Sequence, residues 1–264
     1  MFHRSTLLAC AVLLASAGCL DSRPVVVPAP IDSRLVLRLH EAFAPDGRTL
    51  QLLCQTERIY PTAGYLILDQ SAAAGSGFAI EFTGIVAPAI GATMLAPARA
   101  QVSLDRPGGG IHALWLSVNR VTATARLTVT PDSFAVERGE GDWTTFPAPV
   151  LHRVPPGSIW GWVGWGPDDR SARAEAFLHA LALAGARPAQ LASGDYEYFQ
   201  VGPDGRVTMP GSGGTYASRA FVYRFADDPA VLARVVRDFA DGMWIAVYDD
   251  RGGRALSWVT SRPD

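Results

Sequence analysis

Lysine is absent: all 23 basic residues of this 264-residue chain are Arg. They are scattered among 25 acidic residues, and the formal net charge is −2. Without a basic block the electrostatic footprint of nucleic-acid binding is missing, so nucleic acid is set aside as a partner. Arg-only usage fits a GC-rich genome, because Arg codons are GC-rich and Lys codons are not. Cysteine is scarce too. Cys10 and Cys19 fall within the first nineteen residues, and only Cys54 lies in the body of the chain. A disulfide framework is therefore excluded there. Cys54 sits in the apolar stretch Leu52-Leu53-Cys54-Gln55 and is expected to be a buried, inert thiol. The apolar run over residues 7–15 is shorter than the ~20 residues that span a bilayer.

Motifs of familiar chemistry are missing as well. No Gly-x-Ser-x-Gly marks a nucleophile elbow. His40, His112, His152 and His179 make no His-x-His or His-x-x-x-His pair, so a local zinc motif is lacking. The Gly-rich run Pro210-Gly211-Ser212-Gly213-Gly214-Thr215 has no P-loop Lys, and Gly108-Gly109-Gly110 reads as a turn. The acidic doublets Asp168-Asp169, Asp227-Asp228 and Asp249-Asp250 resemble cation ligands in type. The first two precede predicted helices, where carboxylates cap free N–H groups, and the third lies in a turn. No metal, cofactor or catalytic residue is expected from these patterns.

What is present is concentrated at the start. Arg4 precedes the apolar run; Ser16, Ala17 and Gly18 are small; Cys19 follows at once. This is the layout of a signal peptide over residues 1–18 with a small-residue cleavage site. The ending Ser16-Ala17-Gly18-Cys19 resembles the lipobox of bacterial lipoproteins, with Ser16 where Leu is usual. The resemblance covers these nineteen residues. It implies that Cys19 carries a diacylglyceryl thioether, often with an amide-linked third chain such as palmitate, and that the partner is the membrane. Each buried methylene contributes roughly 0.8 kcal/mol, so two or three chains hold a protein where one does so marginally. Leu20, rather than Asp, implies the outer membrane in a Gram-negative host. The alternative is an ordinary cleaved signal peptide followed by a chance Cys.

Residues 19–33 contain three Pro and no helical period, which predicts an extended tether. Over residues 34–138 the chain alternates, as in Leu35, Leu37 and Leu39 against Val36, Arg38 and His40. Seven or eight such short runs, separated by turns, predict a β-sandwich of immunoglobulin-like architecture. Residues 139–158, with four Pro, are predicted to be a linker. Over residues 159–264 the order β-α-β-β-α-β predicts an α+β domain resembling a ferredoxin-like split unit. The expected fold class is therefore two domains, an all-β sandwich followed by an α+β unit.

The most unusual run is Trp160-Gly161-Trp162-Val163-Gly164-Trp165. On a strand Trp160 and Trp162 share a face. Exposed, they would make a stacking platform for a sugar; buried, they are core beneath the helices, which is the preferred expectation. These patterns favour a non-catalytic envelope binding module whose partner is an envelope protein or a cell-wall glycan. The alternative is an envelope hydrolase with a site assembled from distant residues.

Overall fold

The structure, a computed structural model, describes residues 28–166, 170–210 and 217–257. The proposed signal peptide, Cys19 and Asp168-Asp169 lie outside the described residues, as does the run 211–216. Ten strands form the larger part: β1 (Leu35–Ala44), β2 (Gly47–Tyr60), β3 (Leu66–Ala74), β4 (Gly77–Val86), β5 (Ala96–Ser103), β6 (Gly110–Val118), β7 (Val121–Val129), β8 (Ser133–Arg138), β9 (Thr144–Thr145) and β10 (Val150–His152). They join in one curled sheet in the order β10-β8-β7-β6-β4-β3-β5-β2-β1-β9. Period-two alternation sends one face of each strand inward. Leu35, Leu37 and Leu39, Leu50 and Leu52, Leu114 and Leu116, and Leu127 meet in a single core. Cys54 belongs to that core at 2% exposure, and burial, with Asp69 nearby, pushes its thiol pKa up.

The second part contains β11 (Ser158–Trp165), α1 (Ser171–Leu183), β12 (Arg187–Pro188), β13 (Gly194–Asp195), β14 (Gln200–Val201), β15 (Val207–Thr208), β16 (Ala217–Arg224), α2 (Pro229–Asp238), β17 (Trp244–Asp249) and β18 (Arg254–Ser257). A five-stranded sheet runs β12-β16-β11-β17-β18, and β13, β14 and β15 form a separate small sheet. α2 starts with Asp228 as its cap, whose carboxylate accepts from Ala230 N at 2.9 Å, and Pro229 takes the first turn. Ile159, Val163 and Trp165 face Phe177, Leu181, Leu232 and Val236 of the helices. On this central strand Gly161 is sterically required, since a Cβ there would lie 2.0 Å from the Ala246 carbonyl oxygen.

The expected immunoglobulin-like sandwich followed by a ferredoxin-like unit is not what forms. The first part is one ten-stranded curled sheet, and the described residues are mostly strand with two helices. Two facing antiparallel sheets would need every neighbour to run antiparallel. Here β4 pairs with β6 in parallel, from Phe78↔Leu114 to Phe82↔Val118, and β3 joins β5 through the parallel bridge Leu66↔Arg99. Residues 139–158 supply β9 and β10 to that sheet. The second part adds the β13–β15 sheet between α1 and β16, and this extra layer ties it to the first part.

The two ends of the curled sheet differ. At one end Ala29 exchanges two backbone hydrogen bonds with Ile85, at 2.8 and 2.7 Å, where the chain enters the fold. β1 then crosses about 30 Å to the other end, at roughly 3.3 Å per residue. There Phe43 packs at a tilt between Trp160, at 5.4 Å, and Tyr198, at 5.2 Å. The second part is thus fastened to the end remote from the chain's point of entry.

Candidate functional site

Trp160 is 2% exposed and lies on the face of β11 opposite the helices, among Phe199, Tyr196, Val201 and Val222. It is core, but beneath the β13–β15 sheet and Phe43 rather than beneath α1 and α2. Trp162 follows on the same face and is half-buried.

A different Trp faces outward. In β6 the residues Leu114, Leu116 and Val118 point to the core, so Trp115 and Ser117 point away, and Trp115 is 39% exposed. The register builds its surroundings. Ala79 of β4 is opposite Trp115, and Ala72 of β3 is opposite Ala79. Thr124 of β7 is opposite on the other side. The next row across the sheet is Gln70, Glu81, Ser117 and Thr122. Two small Ala side chains beside an indole leave a trough, and the polar row forms its wall. Arg120 closes it from the tight β6–β7 turn, where Asn119 and Arg120 both have positive φ, 49° and 67°. The groove holds about 600 Å³. That is the scale of a small-molecule or single-residue subsite.

The chemistry follows from these side chains. A pyranose has an apolar C–H face and a rim of hydroxyls. Trp115 offers an indole surface suited to the first, and Glu81 and the Gln70 carbonyl offer acceptors to the second. Ser117, Thr122, Arg120 and the Gln70 amide donate. Among the described residues Glu81 and Arg120 have no ion-pair partner, so both are free to meet a ligand.

A second groove of about 600 Å³ lies over β1, β2 and β5, lined by Val36, Arg38, Leu53, Gln55, Arg99 and Gln101. It has two cations and no aromatic ring, and offers charge without a platform. The ionisable side chains that distant segments bring together lie elsewhere, between the two parts of the fold. Arg153 donates to Glu41 Oε1 through Nε at 3.0 Å, and its Nη2 stands 2.9 Å from the same oxygen as an ion pair. Arg48 donates to Asp250 Oδ2 at 2.7 Å and to the Val154 carbonyl at 2.5 Å. His40 Nδ1 contacts Glu197 Oε1, and Tyr198 donates to the Glu41 carbonyl at 2.8 Å. Burial, reinforced by Glu197 and Glu41, pushes the Tyr198 hydroxyl pKa up. These groups pair with one another across the junction and act as a clamp, although Glu41 Oε2 and Glu197 Oε2 accept no hydrogen bond.

The remaining sequence candidates have local roles. Asp249 Oδ1 accepts from Arg251 N at 2.9 Å and Gly253 N at 2.6 Å, closing a turn. His112 bonds the carbonyls of Ser76 and Gly108, His152 stacks on Tyr196, and His179 is exposed on α1. Among the described residues no three metal-ligating side chains converge. Sequence reading passed over Trp115 because it sits in an ordinary strand pattern. The signal was there: an aromatic at an outward position between inward Leu114 and Leu116 has no core to enter. No family model, curated protein or solved structure matches this chain.

Proposed function

We propose that this chain is a lipid-anchored cell-envelope protein, acylated at Cys19, that acts as a binding module for a cell-wall glycan. In a Gram-negative host the residue after the lipid, Leu20, favours the outer membrane. The observation that supports the binding role is Trp115, held on the outward face of a rigid sheet beside Ala72 and Ala79 and walled by Gln70, Glu81 and Arg120. Rigid elements hold a site more closely than loops do, which suits recognition of a repeating polymer.

Two measurements test this. Trp115→Ala should weaken retention on purified peptidoglycan at least tenfold, equivalent to about 1.4 kcal/mol. Its effect on unfolding should stay near 1 kcal/mol, the span of strand preferences at a sheet surface. Unchanged retention would remove the glycan assignment, and release of soluble fragments during the assay would favour the hydrolase alternative. Separately, Cys19→Ser should abolish incorporation of labelled fatty acid. Equal labelling of the two proteins would rule out the anchor.

A further inference from the structure

We propose that the end of the curled sheet where the chain enters the fold is a bilayer-docking surface, formed by Ile59, Leu66, Ile90, Met94 and Leu95. This rests on the lipid-anchor reading of Cys19. The five side chains are 53%, 56%, 95%, 59% and 74% exposed, respectively. They come from three places: the end of β2, the start of β3 and the loop over residues 87–95. The fold gathers them. Ile59 and Tyr60 pair with Pro97 and Ala96, Leu66 pairs with Val86, and Ala63 N donates to Ala92 O at 3.0 Å. Scattered exposed apolar residues need no explanation, but a contiguous group at one pole of a molecule marks an interaction surface.

Three features select a bilayer as the occupant. First, residues 59–68 and 82–98 contain no charged side chain; the exposed Arg58–Asp32 pair sits beside the Tyr60 ring, so insertion limited to the apolar tip in front of the tyrosines desolvates no charge. Second, Tyr60 and Tyr65 stack at 4.4 Å behind the apolar tip, and aromatic rings of this kind settle at the headgroup level. Exposed Arg99 follows the uncharged run, where a cation meets anionic headgroups. Third, the chain outside the structure ends at this pole. Ala29 is bound to Ile85, two residues before the loop over residues 87–95. From Cys19 to Pro28 the chain reaches about 30 Å at full extension, at no more than ~3.6 Å per residue. A lipid on Cys19 therefore confines this pole, and not the opposite one, to the neighbourhood of the membrane. Lipid chains and apolar tip then act as two linked contacts, the second raised in effective concentration by the first.

The test uses the acylated protein in vesicles of phosphatidylethanolamine and phosphatidylglycerol. An environment-sensitive fluorophore is placed on Ile90→Cys. The only other thiol of the mature chain, Cys54, is buried, so labelling is selective. A control fluorophore goes on Leu183→Cys, 77% exposed on α1 in the part fastened to the opposite end. The probe at 90 should shift to the blue and be quenched by nitroxide lipids, while the probe at 183 stays in water. Equal water exposure of both would overturn the proposal. A blue shift without vesicles, together with a doubled mass in solution, would overturn it in favour of a second copy as occupant. Failure of the anchor reads out differently. In the Cys19→Ser chain the same tip should still partition onto vesicles, weakly, and Met94→Asp with Leu95→Asp should reduce that partition at least tenfold. Absent fatty-acid labelling with retained tip-dependent partition would remove the anchor and keep the docking surface. Acylation with a tip indifferent to both Asp substitutions would do the reverse.

Discussion

Trp160→Ala should lower the free energy of unfolding by about 3–5 kcal/mol, the range for truncating a fully buried large aromatic. The indole is 2% exposed and contacts four other rings: Tyr198 at 5.3 Å, Phe43 at 5.4 Å, Phe199 at 6.2 Å and Tyr248 at 6.3 Å. Phe43 belongs to the large sheet, Tyr248 to the five-stranded sheet, and Tyr198 and Phe199 to the segment around the small one. Removing the indole therefore opens a void where three sheets meet, and neighbours anchored on separate sheets collapse into it only in part. Denaturant unfolding reads the loss directly. Trp162→Ala, half-buried, should cost less than Trp160→Ala. A loss below about 1 kcal/mol at Trp160 would mean that the seam is not packed as described.

Arg153→Met should cost about 3–5 kcal/mol for a different reason. Its guanidinium holds Glu41, which is 3% exposed, through a hydrogen bond from Nε and a close Nη2 contact to one carboxylate oxygen. The other oxygen, Oε2, has no hydrogen-bond partner, and Arg48 Nη1 stands 3.8 Å from it. Truncating Arg153 leaves a buried carboxylate short of its main counter-charge, the case in which breaking a buried pair is most costly. Adding Glu41→Leu to Arg153→Met should recover most of the loss, because the charge left without its partner is then gone. A double variant as unstable as the single one would show that Arg153 acts chiefly through its packing over Phe134, 4.9 Å from the ring centroid.

Some of this was legible in the sequence. The alternation of Leu35, Leu37 and Leu39 states which side of β1 is buried, and Asp228-Pro229 announces the start of α2 to the residue. Both signals are local, resting on side-chain period and on the orphan N–H groups of a first turn. The face of α1 was harder to read. The apolar residues at helical spacing, Ala172, Ala176, Phe177, Ala180, Leu181 and Leu183, include the buried Phe177 and Leu181, yet Ala174 outside that set is buried and Leu183 within it is exposed. With Ala at so many positions the helix has little apolar contrast between its sides.

Sheet order was not legible. Alternation tells each strand that it has an inside, and says nothing about its neighbour. The parallel pairing of β4 with β6, 36 residues apart in sequence at every pair from Phe78↔Leu114 to Phe82↔Val118, is settled only when all the inward faces share one core. The Pro-rich stretch 139–158 misled for a related reason. Proline is compatible with short edge strands, and β9 and β10 are that. The clamp was hidden in the same way, since Glu41 and Arg153 are 112 positions apart. Trp115 differs, because its outward position follows from its own strand.

The two edges of the large sheet, β9 and β10, are two and three residues long and are joined by residues 146–149, with Pro147 and Pro149 between them. A long bare edge offers a row of unpaired amides and carbonyls on which a neighbouring chain can add. Here β9 pairs only with Leu35 and Val36 of β1 and β10 only with three residues of β8; farther along β1, Tyr198 donates to the Glu41 carbonyl, so the second part of the fold lies against that stretch. If the proposed anchor holds copies at a surface, where they collide in two dimensions, this covering would leave fewer free amides and carbonyls for one copy to add to another.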